Sequence, residues 1–277
     1  MIAAGSPLEP ERDAEMPAKE SRARDRRPAP GIVRQVAIGL ALVGILAFAN
    51  PTGLLAFDCP AERQPNIPKS EEPSINIDKH KKQLRAYQTN FYEDDLKLVT
   101  GDALAYVMSR IDQVKRPAVV LDIDETSLSN WPDINADDFG FIEGGDCPLQ
   151  PKMPCGFAAW IKKGKAAEIQ PTLQLFNALR AKNVAIFFVT GRRDSQLKVT
   201  VRNLRRAGFK NWAGLMTRPD DDKAKSIVPF KSGQRAAIES SKEPYTIIAN
   251  IGDQQSDLDG GHAECTFKMP NPFYFIE

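Results

Sequence analysis

The sequence is poor in the residues that mark the more unusual protein classes. Four cysteines and two histidines in 277 residues are too few for a disulfide-dense mini-domain, and their spacings match no C-x-x-C zinc or redox motif. An excess of charge is also missing. With 37 Lys and Arg against 36 Asp and Glu, the formal net charge is +1, so no global basic field exists to hold a nucleic acid polymer. No strongly apolar run reaches the ~20 residues that a spanning helix needs, and no internal repeat is present. What remains is 42% hydrophobic and 26% charged, the composition of an ordinary globular protein. The length suits one α/β domain with appendages better than two separate cores.

The appendage is N-terminal. Residues 1–35 mix Pro, Ala and charge without period and gather Arg22, Arg24, Arg26, Arg27 and Arg34 late, a pattern expected to be disordered. Val36 to Ala49 follows as 14 uncharged, largely apolar residues ending in Ala47-Phe48-Ala49. That is the length of a signal-peptide apolar region closed by an A-x-A cleavage signal. Residues 1–49 are therefore expected to be a signal peptide, or an uncleaved anchor that attaches the protein to a membrane through residues 36–49. The expected location is exported, in the periplasm or secreted. Removing the segment leaves 30 residues of each charge sign. Residues 50–75, rich in Pro and polar side chains, read as a linker.

Cys147 and Cys155 bracket a Pro-rich loop, CPLQPKMPC, short enough for a disulfide to close it. Cys59 and Cys265 could pair or remain free thiols, and sequence leaves both open.

From 76 onward, apolar residues recur at helical spacing between Ile77 and Val114, which predicts two helices broken near Thr100-Gly101. Short β-branched runs then appear at Ala118 to Leu121, Val184 to Val189 and Tyr245 to Ile251. Helical stretches separate them at Thr172 to Lys182, Ser195 to Ala207 and Lys231 to Ser241. Strands alternating with helices predict a parallel sheet with helices on both faces.

The carboxyl end of each predicted strand carries polar chemistry, and ligands of open α/β sheets bind at that edge. Strand one ends in Asp122-Ile123-Asp124-Glu125-Thr126, strand two in Thr190-Gly191-Arg192, and strand three in Gly252-Asp253 with Asp257 beyond. Asp122, Asp124 and Asp253 would repel one another unless a cation neutralised them, and hard oxygen donors select Mg²⁺. Lys231, after Pro229-Phe230, adds a positive charge. The set describes a phosphoryl site in which one carboxylate attacks phosphorus. The cation and Lys231 disperse charge there, and the Thr190 hydroxyl with the adjoining Gly191 backbone holds the phosphoryl oxygens.

LDIDET, FVTGR, FKSGQR and IGDQQSDL, in that order and spacing, resemble the four motifs of the haloacid dehalogenase superfamily of phosphohydrolases. More narrowly, LDIDETSLSNW and GDQQSDLDGGHAECTFKMPNPFYFI resemble its subfamily IIIB acid phosphatase branch, which contains plant acid phosphatases, vegetative storage proteins and bacterial lipoprotein e. The resemblance spans roughly 75–277. It implies an α/β three-layer Rossmannoid sandwich with N-terminal helices and a small cap at about 127–171, and a Mg²⁺-dependent acid phosphatase of broad specificity, with nucleoside monophosphates among its substrates. It implies Asp122 as nucleophile, Asp124 as general acid and base, and Thr190 and Lys231 as phosphoryl contacts. The implied metal set is Asp122, the main-chain carbonyl of Asp124, and Asp253, supported by Asp257. Asp at the second position of D-x-D implies rapid hydrolysis of the intermediate. In the cap, Trp131, nearest the D-x-D loop, is the expected platform for an aromatic leaving group. A phosphotransferase on the same scaffold and a non-catalytic storage or binding protein are the alternative readings.

Overall fold

The computed structural model describes residues 58–68, 76–144 and 156–276. The expectations for residues 1–57 and for a Cys147–Cys155 bond lie outside these residues. Among them, no helix is long and apolar enough to cross a membrane.

Two helices open the folded part, α1 (Ile77–Asn90) and α2 (Tyr92–Arg110). Asn76 caps α1, its side-chain oxygen accepting from the Asp78 and Lys79 amides. The break falls at Phe91, whose φ of −134° leaves the helical range, and not at Thr100-Gly101. There α2 runs through unbroken, with the Thr100 hydroxyl folded back onto the Leu96 carbonyl at 2.8 Å. Packing overrides the helix-weakening of Gly101: Leu96, Val99, Ala103 and Val107 form a buried stripe.

Next come β1 (Pro117–Leu121), the short β2 (Leu128–Ser129), α3 (Trp131–Ala136), α4 (Phe157–Lys163) and β3 (Ala167–Glu168). They are followed by α5 (Gln170–Ala181), β4 (Ala185–Arg193), α6 (Leu197–Arg206), β5 (Gly214–Arg218), α7 (Val228–Glu239), β6 (Thr246–Gly252), α8 (Gln255–Leu258) and β7 (Cys265–Lys268). Five strands form one parallel sheet in the order β5-β4-β1-β6-β7. The three runs seen in the sequence are its centre. The two edge strands carry no such apolar run, since β5 is only half-buried along its whole length and β7 alternates buried with less buried positions.

Alternation along β1 divides the core. Val119 and Leu121 pack with Leu96, Val107, Leu175 and Phe176 of α2 and α5, while Ala118 and Val120 face Ile238 of α7. Helices therefore cover both faces, as an all-parallel sheet requires. Between β1 and α5 the antiparallel pair β2–β3, with Leu128 opposite Glu168, brackets α3 and α4.

The described part of the expected linker is pinned down. Asn66 donates its backbone and side-chain N–H groups to the buried Asp95 carboxylate at 2.7 and 2.6 Å. Arg63 pairs with Asp102, and Cys59 is disulfide-bonded to Cys265 at the start of β7.

Candidate active site

The carboxyl ends of β1, β4 and β6 converge as the parallel register demands. The Asp122 amide donates to the Ile251 carbonyl at 2.9 Å, which locks the end of β1 to the end of β6 and brings Asp122 beside Asp253. One oxygen each of Asp122, Asp253 and Asp257 lies within 4.8 Å of the others, and all three residues are buried. Gly252 makes the approach of Asp257 possible: a Cβ there would sit 2.5 Å from the Asp257 Cβ. Asp257 also accepts from the Gln254 amide at 3.0 Å, so it caps α8 as well as facing the cluster.

Lys231, on the first turn of α7, reaches between two of these acids. Its Nζ donates to Asp122 Oδ1 at 2.5 Å and to Asp257 Oδ1 at 2.6 Å. Burial disfavours the ammonium, but the charges and hydrogen bonds of Asp122 and Asp257 outweigh it, so Lys231 is held above its ordinary range. One lysine cannot balance three acids. Burial, with the crowding of neighbouring carboxylates, pushes Asp122 and Asp253 well above the usual carboxylate range. Such a cluster of hard oxygen donors fits a divalent cation, whose charge would let all three ionise.

Asp124 stands apart from the cluster. Its carboxylate accepts from the Arg192 guanidinium and from Asn130 Nδ2 at 2.9 Å. Both partners lie inside stretches that carry the resemblance, FVTGR and LDIDETSLSNW, but the sequence assigns neither of them a role. Arg192 follows Thr190 by two residues and reads as the charged start of a helix. Asn130 is eight residues beyond Asp122, inside the LDIDETSLSNW stretch, where its spacing alone gives it no chemical role. It is nonetheless fully buried, accepts from Trp160 Nε1 of α4 at 2.8 Å, and donates to the Glu125 carboxylate at 2.8 Å. Glu125, at φ +51°, also accepts from Tyr274 Oη at 3.0 Å. Burial first, and the nearby Asp124 charge, push Glu125 up to about 8, against its Asn130 and Tyr274 hydrogen bonds. A left-handed backbone and a buried acid are strains that functional loops retain.

The Thr190 side chain is fully buried and its Oγ1 accepts from the Arg192 amide at 3.2 Å. Gly191 lines the cavity above the acids, of about 630 Å³, together with Asp122, Asp124, Lys231, Asp253 and Asp257. Trp131 does not. It packs against Phe139 and Phe273 at 5.9 and 5.2 Å between ring centroids, because α3 turns it toward the core beneath the cap. The rings that line the cavity are Phe141, Phe157 and Tyr274, with Phe141 stacked on Tyr274 at 5.4 Å. Tyr274 was not singled out in the sequence because its approach depends on the C-terminal segment. That segment folds back over the site, with Asn271 donating to Asp253 at 2.7 Å. Arg235, one turn after Lys231, is a fully buried strut whose guanidinium donates to the Asp257, Asp259 and Gly261 carbonyls, fixing the loop that carries Asp257. His262 pairs with Glu239 at 2.9 Å, away from the acids.

Residues 69–277 match the family model of the HAD superfamily, subfamily IIIB (Acid phosphatase).

The chain belongs to this family of phosphomonoester hydrolases.

It is 33% identical over 187 residues to Acid phosphatase 1 of Solanum lycopersicum, covering 67% of this chain and 69% of that protein. Vegetative storage protein 1 of Arabidopsis thaliana is 28% identical over 212 residues, or 73% of this chain and 74% of the relative. Among solved structures, the class C acid phosphatase from Bacillus anthracis shares the fold with a TM-score of 0.55 at 22% identity. The match covers 70% of this chain and 86% of that one.

Proposed function

We propose that this subfamily IIIB acid phosphatase is a divalent-metal-dependent enzyme that hydrolyses phosphomonoesters through an aspartyl-phosphate, an acyl phosphate formed on Asp122. The observation that carries this reading is the buried triad of Asp122, Asp253 and Asp257 around Lys231, at the mouth of which Asp124 is held separately by Arg192 and Asn130. Asp122 and Asp253, with the Asp124 main-chain carbonyl and Asp257 in support, would hold Mg²⁺. When bound, it would supply charge neutralisation for the carboxylates and the transferring group.

In the first step an Asp122 oxygen bonds to phosphorus, the ester P–O bond breaks, and Asp124 gives a proton to the leaving oxygen. In the second, Asp124 takes a proton from water, the water oxygen bonds to phosphorus, and Asp122 leaves as a carboxylate. Lys231 stays charged through both and disperses the phosphoryl charge, while Thr190 and Gly191 near the end of β4 orient the phosphoryl oxygens. The first step needs a proton on Asp124 while Asp122 stays ionised, and the expected pH optimum of such an acid phosphatase lies below neutrality.

Phe141, Phe157 and Tyr274 give the cavity an aromatic side, which supports leaving groups such as a nucleoside. The cavity is open enough for broad specificity. Export is supported by the apolar segment 36–49 and by the Cys59–Cys265 disulfide, a bond that persists in oxidising compartments. Acid quenching of the purified protein during turnover of a ³²P-labelled phosphomonoester tests the mechanism. Label retained on the wild type and absent from Asp122→Asn is expected, and label retained on Asp122→Asn would overturn it.

A further inference from the structure

We infer that the turn following β5 builds a second anion subsite in the same cavity, so that the favoured substrates are phosphomonoesters whose leaving group carries another phosphate or a carboxylate. This rests on the phosphatase reading of the site.

The inference comes from how the charges of the cavity pair. Deep in the site Arg192 is matched to Asp124, and Lys231 to Asp122 and Asp257. Further out, the sequence Arg218-Pro-Asp-Asp-Asp-Lys-Ala-Lys225 reads as a solvated, self-neutralising loop. The structure separates its charges. Asp222 accepts from Arg218 Nε at 2.8 Å and from the Ala224 amide at 2.8 Å. Arg193 donates to the Pro219 and Asp222 carbonyls at 2.9 Å each. Asp220 is drawn off to the Ser195 amide and hydroxyl. The guanidinium groups and two of the three acids are thereby committed to shaping the turn. Lys223 and Lys225 both line the cavity, both are exposed, and neither has an ion pair or hydrogen bond among the described residues. The lining also includes the uncharged rings of Phe141, Phe157 and Tyr274, and the acid Glu143.

A volume of about 630 Å³ falls in the ~300–1,000 Å³ range that encloses whole small ligands, so room remains beyond the reacting phosphoryl group. Two unpaired ammonium groups on a turn braced by Arg193 and Arg218 are placed to meet an anion there. Their long stems let them reach phosphate or carboxylate alike.

The test compares kcat/KM within matched pairs: 3-phosphoglycerate against glycerol 3-phosphate, and adenosine 3′,5′-bisphosphate against adenosine 5′-monophosphate. The wild type is expected to favour the member with the second anion in each pair by roughly three- to tenfold at low salt, the yield of two exposed ion pairs, with the preference shrinking as salt rises. A preference in one pair alone identifies whether carboxylate or phosphate is the group received. Lys223→Glu/Lys225→Glu, checked for folding by circular dichroism and repeated as Lys223→Gln/Lys225→Gln, is expected to abolish or invert the ratio. Ratios at or below one in the wild type overturn the subsite. So does an equal loss for both members of each pair, which would assign the lysines to the reacting phosphoryl group. Hydrolysis of p-nitrophenyl phosphate, which has no second anion, reads the phosphatase activity independently.

Discussion

Arg192 closes its guanidinium on the carboxylate of Asp124, with Nη2 2.6 Å from Oδ1 and Nε 3.1 Å from each oxygen. The contact joins the end of β4 to the loop after β1, two strands adjacent in space and far apart in sequence. It holds Asp124, the proposed proton-transferring acid, clear of the Asp122 cluster, and Asn130 also holds it.

On the proposed mechanism, loss of that hold affects proton transfer in particular. Arg192→Ala is expected to lower kcat by ~10²-fold for alkyl phosphates, and by much less for p-nitrophenyl phosphate, whose leaving group needs no proton. Arg192→Lys recovers little, because a point charge cannot replace the planar fork. Equal losses on both ester types in steady-state assays would instead make Arg192 a substrate-binding residue.

Asp122, the proposed nucleophile, gives the sharpest expectation. Asp122→Asn should lose at least ~10³-fold in kcat while its circular dichroism spectrum and melting profile stay those of a folded protein. Lys231→Ala should be severely impaired, and far more so toward p-nitrophenyl phosphate than Lys223→Ala or Lys225→Ala.

Metal removal has a stability readout as well as a kinetic one. Because burial and crowding push Asp122 and Asp253 upward, a dication that lets them ionise binds the folded state and raises Tm by mass action. Dialysis against EDTA is expected to abolish activity and lower Tm at pH 7, and Mg²⁺ to restore both. An unchanged Tm with full activity in chelator would contradict the assignment.

Asp133 makes a pH-dependent contribution to stability. It is buried in α3 with Oδ1 lacking a hydrogen-bond partner among the described residues; burial, then the neighbouring Asp137, push it up to about 6, against the pull of Lys163. The folded state thus keeps a proton that the unfolded chain gives up near pH 4. The stability tied to that proton is present below about pH 4 and is lost as pH rises through about 6. Asp133→Asn should raise Tm at pH 7 by a few degrees, at ~2–4 °C per kcal/mol, and make no difference at pH 4. Thermal melts across pH 4–7 check the sign.

The Cys59–Cys265 bond spans 206 residues of sequence and ties the N-terminal strap to the sheet edge. The double variant Cys59→Ser/Cys265→Ser should lose roughly 2–5 kcal/mol and melt at a lower temperature. Its melting point should also respond less to dithiothreitol than the wild type's; an identical response would show that reduction acts elsewhere.

Sequence alone determined the parts of this protein that repeat a local rule. Buried parallel strands read as short β-branched runs because both of their faces are covered. The residues directly after them, Asp122, Asp124, Thr190 and Asp253, had to arrive at one edge because parallel strands end on the same side. Lys231 was legible from its place just inside a helix start. Tertiary structure decided whatever depends on a partner distant in sequence. The helix break moved from Thr100-Gly101 to Phe91 because the buried stripe of α2 fixes the helix more strongly than a glycine weakens it. Trp131 went to the core while Tyr274 came to the cavity, since the fold-back of the C-terminal segment follows from contacts such as Asn271 with Asp253. Asn130 and Arg192 look ordinary in sequence and acquire their role only when β1, β4 and α4 meet around Asp124. A side chain's type and local spacing are written in its neighbours, but the charge it faces is set by packing between elements, and at this site that charge decides what each acid can do.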